Sequence, residues 1–266
     1  MEAGGGDAAV QESVCQQPED LQVYMASGAK VLEMQFVEFV EMCRARRVEQ
    51  TALELKRCLQ RRRGLSRFRQ QLIGPDGEIL QNGARLDGPM DIQLALWSFE
   101  ESSGEQIHQL CELAIYANSR GVEELLSKPL DPNLTSEFHG ASALACACNR
   151  PNSRKVVDLL LEALADPNTL DGQDRTPMFI AVMMRDTGTI VKLLGAKADP
   201  DKTSFNTGCR PPRRTPLLLA ASMGSAYVVR LLLEAKADKD KPETSGSTPI
   251  SVAREKGHAK VVQLLQ

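Results

Sequence analysis

At 266 residues, 42% of them apolar, the chain has the length and hydrophobicity to bury a sizeable core in one or two domains. Its net charge of −3, from 32 basic and 35 acidic side chains, sets up no global field that would make nucleic acid or an anionic membrane the obligate partner. The opening MEAGGGDAAVQE has neither the basic start nor the apolar stretch of a signal peptide, and apolar runs fall short of the roughly 18 to 20 residues that a bilayer span needs.

In chain order, residues 1–20 are rich in Gly, Ala, Gln and acid with little to bury, which predicts a disordered tail. From Leu21 the pattern predicts a strand to Met25, a turn at Ser27-Gly28 and a strand over Lys30 to Phe39. A helix follows from about Val48 to Arg63, ending at Gly64. More strand is expected over Phe68 to Ile73, a turn at Asp76-Gly77, and a last strand over Asp91 to Trp97 with Ile92, Leu94 and Leu96 alternating. This is a β-β-α-β-β order. With Arg69-Gln70-Gln71-Leu72-Ile73, Gly77-Glu78-Ile79-Leu80, Leu86-Asp87 and Ile92-Gln93-Leu94-Ala95-Leu96 as its later strands, the segment resembles the ubiquitin superfold over about 77 residues. The resemblance implies a small α+β (β-grasp) domain over 21–99, with Ile73, Gln93 and Ala95 on its docking surface. Ile73 stands where ubiquitin carries its exposed isoleucine, Ala95 replaces a partner valine, and no Gly-Gly tail follows Trp97, so conjugation to substrates is not implied. The acidic, Ser-Gly stretch over 100–106 reads as a linker.

Beyond it the chain repeats itself. Leu-Leu-Leu-Glu-Ala-x-Ala-Asp occurs at 159–166 and at 231–238, with a shortened version at 193–199. The closing aspartates, Asp131, Asp166, Asp199 and Asp238, are 35, 33 and 39 residues apart. Thr176-Pro177, Thr215-Pro216 and Thr248-Pro249 run in step, with Ser142-Ala143 at the matching place one unit earlier. Each Thr-Pro fits a helix start, Thr capping and Pro at the first position where its missing N–H costs nothing. A short helix (Pro216 to Met223), a break such as Gly224 or Gly257, and an apolar stripe (Val228, Val229, Leu231, Leu232, Leu233) then predict a helical hairpin per unit. The Ala-Asp-Pro-Asn segments supply turns toward the next unit. One unit cannot bury both its faces, so stacking must supply the core.

Arg214 to Asp240 (RTPLLLAASMGSAYVVRLLLEAKADKD) and Gly246 to Gln266 (GSTPISVAREKGHAKVVQLLQ) resemble the ankyrin family, and the resemblance covers roughly 107–266. It implies a mainly α chain of about five ankyrin repeats. The first (Ile107 to Asn133) is a degenerate cap, and the last ends on an apolar stripe without a polar cap. The family's first-helix histidine is replaced by Ala145, Phe179, Leu218 and Ser251, which predicts lower local stability. The resemblance further implies that Arg150, Arg175, Met183, Met184, Ser222, Met223, Glu255 and Lys256 occupy the variable positions lining a concave, protein-binding surface. For Met183, Met184 and Met223 an adaptable contact surface and ordinary half-buried packing are both open.

The connection from Asp199 to Thr215 is about six residues longer than its neighbours and carries Phe205, Cys209, Arg210, Arg213 and Arg214. It reads as a binding loop for an acidic partner or as a tolerated insertion. Lys56, Arg57, Arg61, Arg62, Arg63, Arg67 and Arg69 make a basic run that reads as a solvated helix face or as a surface for phosphate or an acidic protein; the absence of interleaved aromatics counts against nucleic acid. The seven cysteines (Cys15, Cys43, Cys58, Cys111, Cys146, Cys148, Cys209) are odd in number and scattered, as reduced thiols in an intracellular protein, cytoplasmic or nuclear, would be. Cys146 and Cys148, two apart on a helix, make a poor metal pair, and His139 and His258 fit turn positions. With no phosphate loop, nucleophile elbow or paired-histidine helix, neither cofactor, metal, small-molecule substrate nor catalysis is expected. The reading is a scaffold or adaptor for another protein. Its rivals are a ubiquitin-pathway adaptor, in which the ubiquitin-like domain docks to proteasomal or ligase machinery while the repeats hold a client, and a thiol enzyme built on Cys146 or Cys209.

Overall fold

A computed structural model describes residues 20–25, 27–96, 102–128, 130–205 and 213–266. The chain divides into two compact units, Met1–Leu65 with Gln70–Leu96, and Ser66–Arg69 with Trp97–Gln266. The expected tail lies outside the described residues except for Asp20, which opens the first strand.

In the first unit β1 (Asp20–Met25) and β2 (Lys30–Gln35) form an antiparallel pair, followed by α1 (Phe36–Arg46) and α2 (Ala52–Arg63), then β3 (Gln70–Ile73) and β4 (Asp91–Leu96). The sheet order is β2-β1-β4-β3, with the first and last strands parallel at its centre. Alternation does the sorting: Leu21, Val23, Leu32, Met34, Leu72, Ile92 and Leu94 are buried against Phe39, Leu55 and Leu59. The topology is compatible with the expected β-grasp. Three boundaries are corrected. Alternation stops at Gln35, and Phe36 to Phe39, expected as strand, begins α1, where Phe39 and Cys43 recur four apart as the buried face and Arg47 closes the helix at φ 57°. The second helix starts at Ala52 rather than Val48 and ends at Gly64 in the left-handed region. Arg67–Arg69 forms a single 3-10 turn, so the strand expected from Phe68 begins at Gln70.

The second unit is five helix pairs among the described residues: α3 (Gly104–Ile115) with α4 (Ser119–Leu126), α5 (Ala143–Cys148) with α6 (Arg154–Glu162), α7 (Pro177–Met183) with α8 (Thr187–Gly195), α9 (Pro216–Ser222) with α10 (Ala226–Glu234), and α11 (Pro249–Glu255) with α12 (Ala259–Leu265). The first helices pack in one row, α3 to α5 to α7 to α9 to α11. Thr176, Thr215 and Thr248 cap their helices through bonds from the third residue's N–H, as the Thr-Pro pairs predict, and Ser142 does so without a proline. Where the expected histidine is missing, Ser251 closes a capping box with Thr248. The expected linker is shortened: Ser103 and Gln106 make a capping box, so 104–106 are the first turn of α3.

The Asp-Pro-Asn recurrence has a structural purpose. Each closing aspartate accepts a bond from the N–H two residues on, Asp131 from Asn133, Asp166 from Asn168, Asp199 from Asp201 and Asp238 from Asp240. The residue so oriented then reaches the next unit: Asn133 accepts from the Asp166 N–H at 2.6 Å, Asn168 from Asp199 at 2.8 Å and Asp201 from Asp238 at 3.0 Å. These bonds form a polar ladder beside an apolar core running from Leu110 to Leu265.

Candidate protein-binding face

Two kinds of position recur along one side of the repeat unit, finger loops and the ends of first helices. The second unit's first finger is the hairpin of β5 (Thr135–Ser136) and β6 (Ala141–Ser142), and its third is that of β7 (Ser204–Phe205) and β8 (Arg213–Arg214). The first helices end on Tyr116, Asn149, Met184, Met223 and Lys256 as C-caps, a register set by the repeat period. Where the chain turns after α9, Gly224 has φ 68° and a Cβ there would lie 2.6 Å from the His258 ring, so glycine is required. That ring opens α12 and its Nε2 lies 3.2 Å from the Ser222 carbonyl oxygen, so His258 is a structural link, and the expected turn position is the observed one.

The predicted site residues separate into three groups. Arg150, Met184, Arg213, Glu255 and Lys256 are exposed. Met183 and Met223 are half-buried against the core, which is the packing alternative, and Ser222 is buried with its hydroxyl donating to the Leu219 carbonyl. Arg175 and Arg214 serve the fingers themselves. Arg175 pairs with Asp171 at 2.6 Å, their side chains 13% and 4% exposed, and Arg214 pairs with Glu243 at 2.6 Å, 22% and 6% exposed. The first bridge lies within one finger and the second joins neighbouring fingers across 29 residues, so both guanidiniums, expected on the open face, are engaged inside the fold. Arg210 and Cys209 lie outside the described residues.

Sequence reasoning missed three residues in the first finger region. Phe138 at the tip and Tyr116 are 82% and 78% exposed. The His108 ring stacks on His139, at 5.0 Å, and meets Phe138 at a tilt, at 4.6 Å. The available signal was register: Tyr116 precedes its helix break as Met223 precedes Gly224, and Phe138-His139-Gly140 precedes Asp171-Gly172 by one period. Fingers one and two touch where the Gly172 N–H donates to the Gly140 carbonyl, and a Cβ on Gly172 would meet that oxygen at 3.0 Å. Beside this contact lies a groove of about 450 Å³, walled by Phe138, His139, Arg150 and the Asp171–Arg175 pair over Cys146.

The groove also holds one of a pair of neighbouring thiols. The neighbouring Cys111 thiol holds the Cys146 thiol below its usual range, with burial acting in the opposite sense, and Cys111, which donates to the Ala141 carbonyl, is raised by the Cys146 thiol and by burial. Asp171 is taken up by Arg175, and among the described residues His139, which lines the same groove, hydrogen-bonds to neither Cys146 nor Asp171. Among the described residues there is no cluster of three metal-ligating side chains, and no helix is long and apolar enough to cross a membrane.

In the first unit Ile73, Gln93 and Ala95 share the sheet face opposite the helices, with Ile73 paired to Gln93 and Gln71 to Ala95. Ile73 and Gln93 also line a groove of about 500 Å³ with Tyr24 and Pro75. Three members of the basic run are paired within this unit: Arg57 with Glu54, Arg62 with Glu38 at 2.6 Å, and Lys56, which donates to Asn82.

Paired helices joined by finger hairpins, stacked in one row, define a helical repeat protein. The family model of ankyrin repeats (three copies) matches residues 110–206 and again 189–266, and the chain belongs to the ankyrin-repeat family. Ankyrin repeats imply a protein–protein interaction role, and no catalytic family is found. No curated protein matches the chain.

Proposed function

We propose that this protein is a non-catalytic scaffold or adaptor that holds a client protein on the finger face of its ankyrin unit. The observation that carries the reading is the alignment of Tyr116, Phe138, Arg150 and Met184, all exposed, on fingertips and helix ends of neighbouring repeats. Aromatic, arginine and methionine side chains on a braced backbone are the composition of an interface centre. The free thiols of Cys43, Cys58, Cys111, Cys146 and Cys148 support an intracellular location. The test is affinity capture from cell extract with the full chain beside an Arg150→Ala, Met184→Ala, Lys256→Ala form, all three positions being exposed. A protein lost only from the variant supports this face; identical captures count against it. Arg175 and Arg214 are avoided because their truncation strands buried carboxylates and reports on folding.

A second reading, the ubiquitin-pathway adaptor, is favoured by one observation, the parallel pairing of β1 with β4 beside an open face that carries Ile73 and Gln93. Binding of the full chain to purified proteasomal or ligase receptors of ubiquitin-like domains, lost in Ile73→Lys, would support it. Equal absence of binding in both forms would dismiss it.

A further inference from the structure

Among the described residues the groove between fingers one and two is walled by the most exposed large apolar side chain, Phe138 at 82%. An isolated phenylalanine at a loop tip is unfavourable in water, but this one is held. Its ring tilts onto His108, which in turn stacks on His139 with an interplanar angle of 18°. The shelf is therefore ordered before anything binds, which lowers the entropic cost of association. Ala141 and Ala145, both small and buried, form the floor with Cys146, leaving space that exceeds one large side chain.

The charge of the groove is also legible. Asp171 accepts from the N–H groups of Gln173 and Arg175 and from the Arg175 guanidinium, so its carboxylate and that arginine cancel. Arg150 remains: it is exposed, lines the same space, and has no ion-pair partner among the described residues. An apolar floor, an aromatic wall and one uncompensated guanidinium select a ligand with an apolar side chain beside a carboxylate, and disfavour a basic one.

We infer that this groove takes a short acidic-apolar segment of a client protein, with one bulky apolar side chain over Ala141 and Ala145 against Phe138 and an Asp or Glu beside it on Arg150. The inference rests on the adaptor reading above and names the chemistry of its partner. The test pans a phage library of random dodecapeptides on the full chain, then measures the selected peptide against Arg150→Glu, Phe138→Ala and, on α12 away from the groove, the exposed Lys260→Glu, with thermal melts confirming that each variant is folded. The expected consensus is a bulky apolar residue with Asp or Glu within two positions. Binding should weaken about tenfold or more in Arg150→Glu and in Phe138→Ala and hold in Lys260→Glu. A basic or uncharged consensus, no enrichment, or an acidic-apolar peptide that binds Arg150→Glu as well as the native chain would overturn the inference. Where client capture is still lost in the triple-alanine form, any of those results overturns the inference while leaving the finger face standing; peptides indifferent to every variant, with client capture equally indifferent, would remove both.

Discussion

Lys197 and Lys236 stand just after α8 and α10 with φ 64°, in the left-handed region where a side chain costs about 1 kcal/mol and glycine costs nothing. Both are exposed, so replacing them removes strain without opening the core. Lys197→Gly with Lys236→Gly is expected to stabilise the protein by about 1 kcal/mol in sum, after the larger entropy of the unfolded glycines is set against the relief, and to raise the urea midpoint accordingly. Arg175 behaves in the opposite way. Its removal leaves Asp171, 4% exposed, as a charge without its counter-ion, and Arg175→Ala should cost about 3 kcal/mol in equilibrium unfolding.

At the scale of the element, α8 is tied to its neighbour through its cap. Asp186 accepts from the N–H groups of Gly188 and Thr189 and from the Thr189 hydroxyl, and it receives Arg154 of α6 at 2.8 Å. Burial pushes this carboxyl upward, but the bonds from Arg154 and Thr189 together outweigh it and hold the group below the usual carboxylate range. A depressed folded value means that the stabilisation is complete above the unfolded value of about 3.9 and is lost as pH falls through the folded one. Asp186→Asn is therefore expected to lower stability at pH 7 and to flatten the acid limb of a stability-against-pH profile measured by urea unfolding. The mutant and native curves should converge at the acid end; parallel curves would contradict the assignment.

Over the whole molecule, the ankyrin unit is held by contacts between neighbours, so damage should spread along it. Leu193 is fully buried in α8, and Leu193→Ala is expected to cost about 3 kcal/mol. Because α8 packs on both α6 and α7, amide exchange should quicken in those helices too, which hydrogen-exchange mass spectrometry would show. The repeat period, the Thr-Pro caps and the Leu-Leu stripes were legible in the sequence because each is a local rule, satisfied within a few residues of chain. Helix α1 was not, since Phe36-Val37-Glu38-Phe39 suits either a strand or a helix and only packing of Phe39 and Cys43 together decides. The same division runs through the binding face. The sequence by itself determined which positions recur at fingertips and helix ends, because stacking identical units forces equivalent residues into a row. Only the tertiary structure decided which of them are open: Asp171 and Glu243 claim Arg175 and Arg214 through pairings four and 29 residues apart, while Arg150 faces the groove beside Phe138. Whether a charge is spent inside the fold or offered to a partner depends on neighbours that chain separation hides.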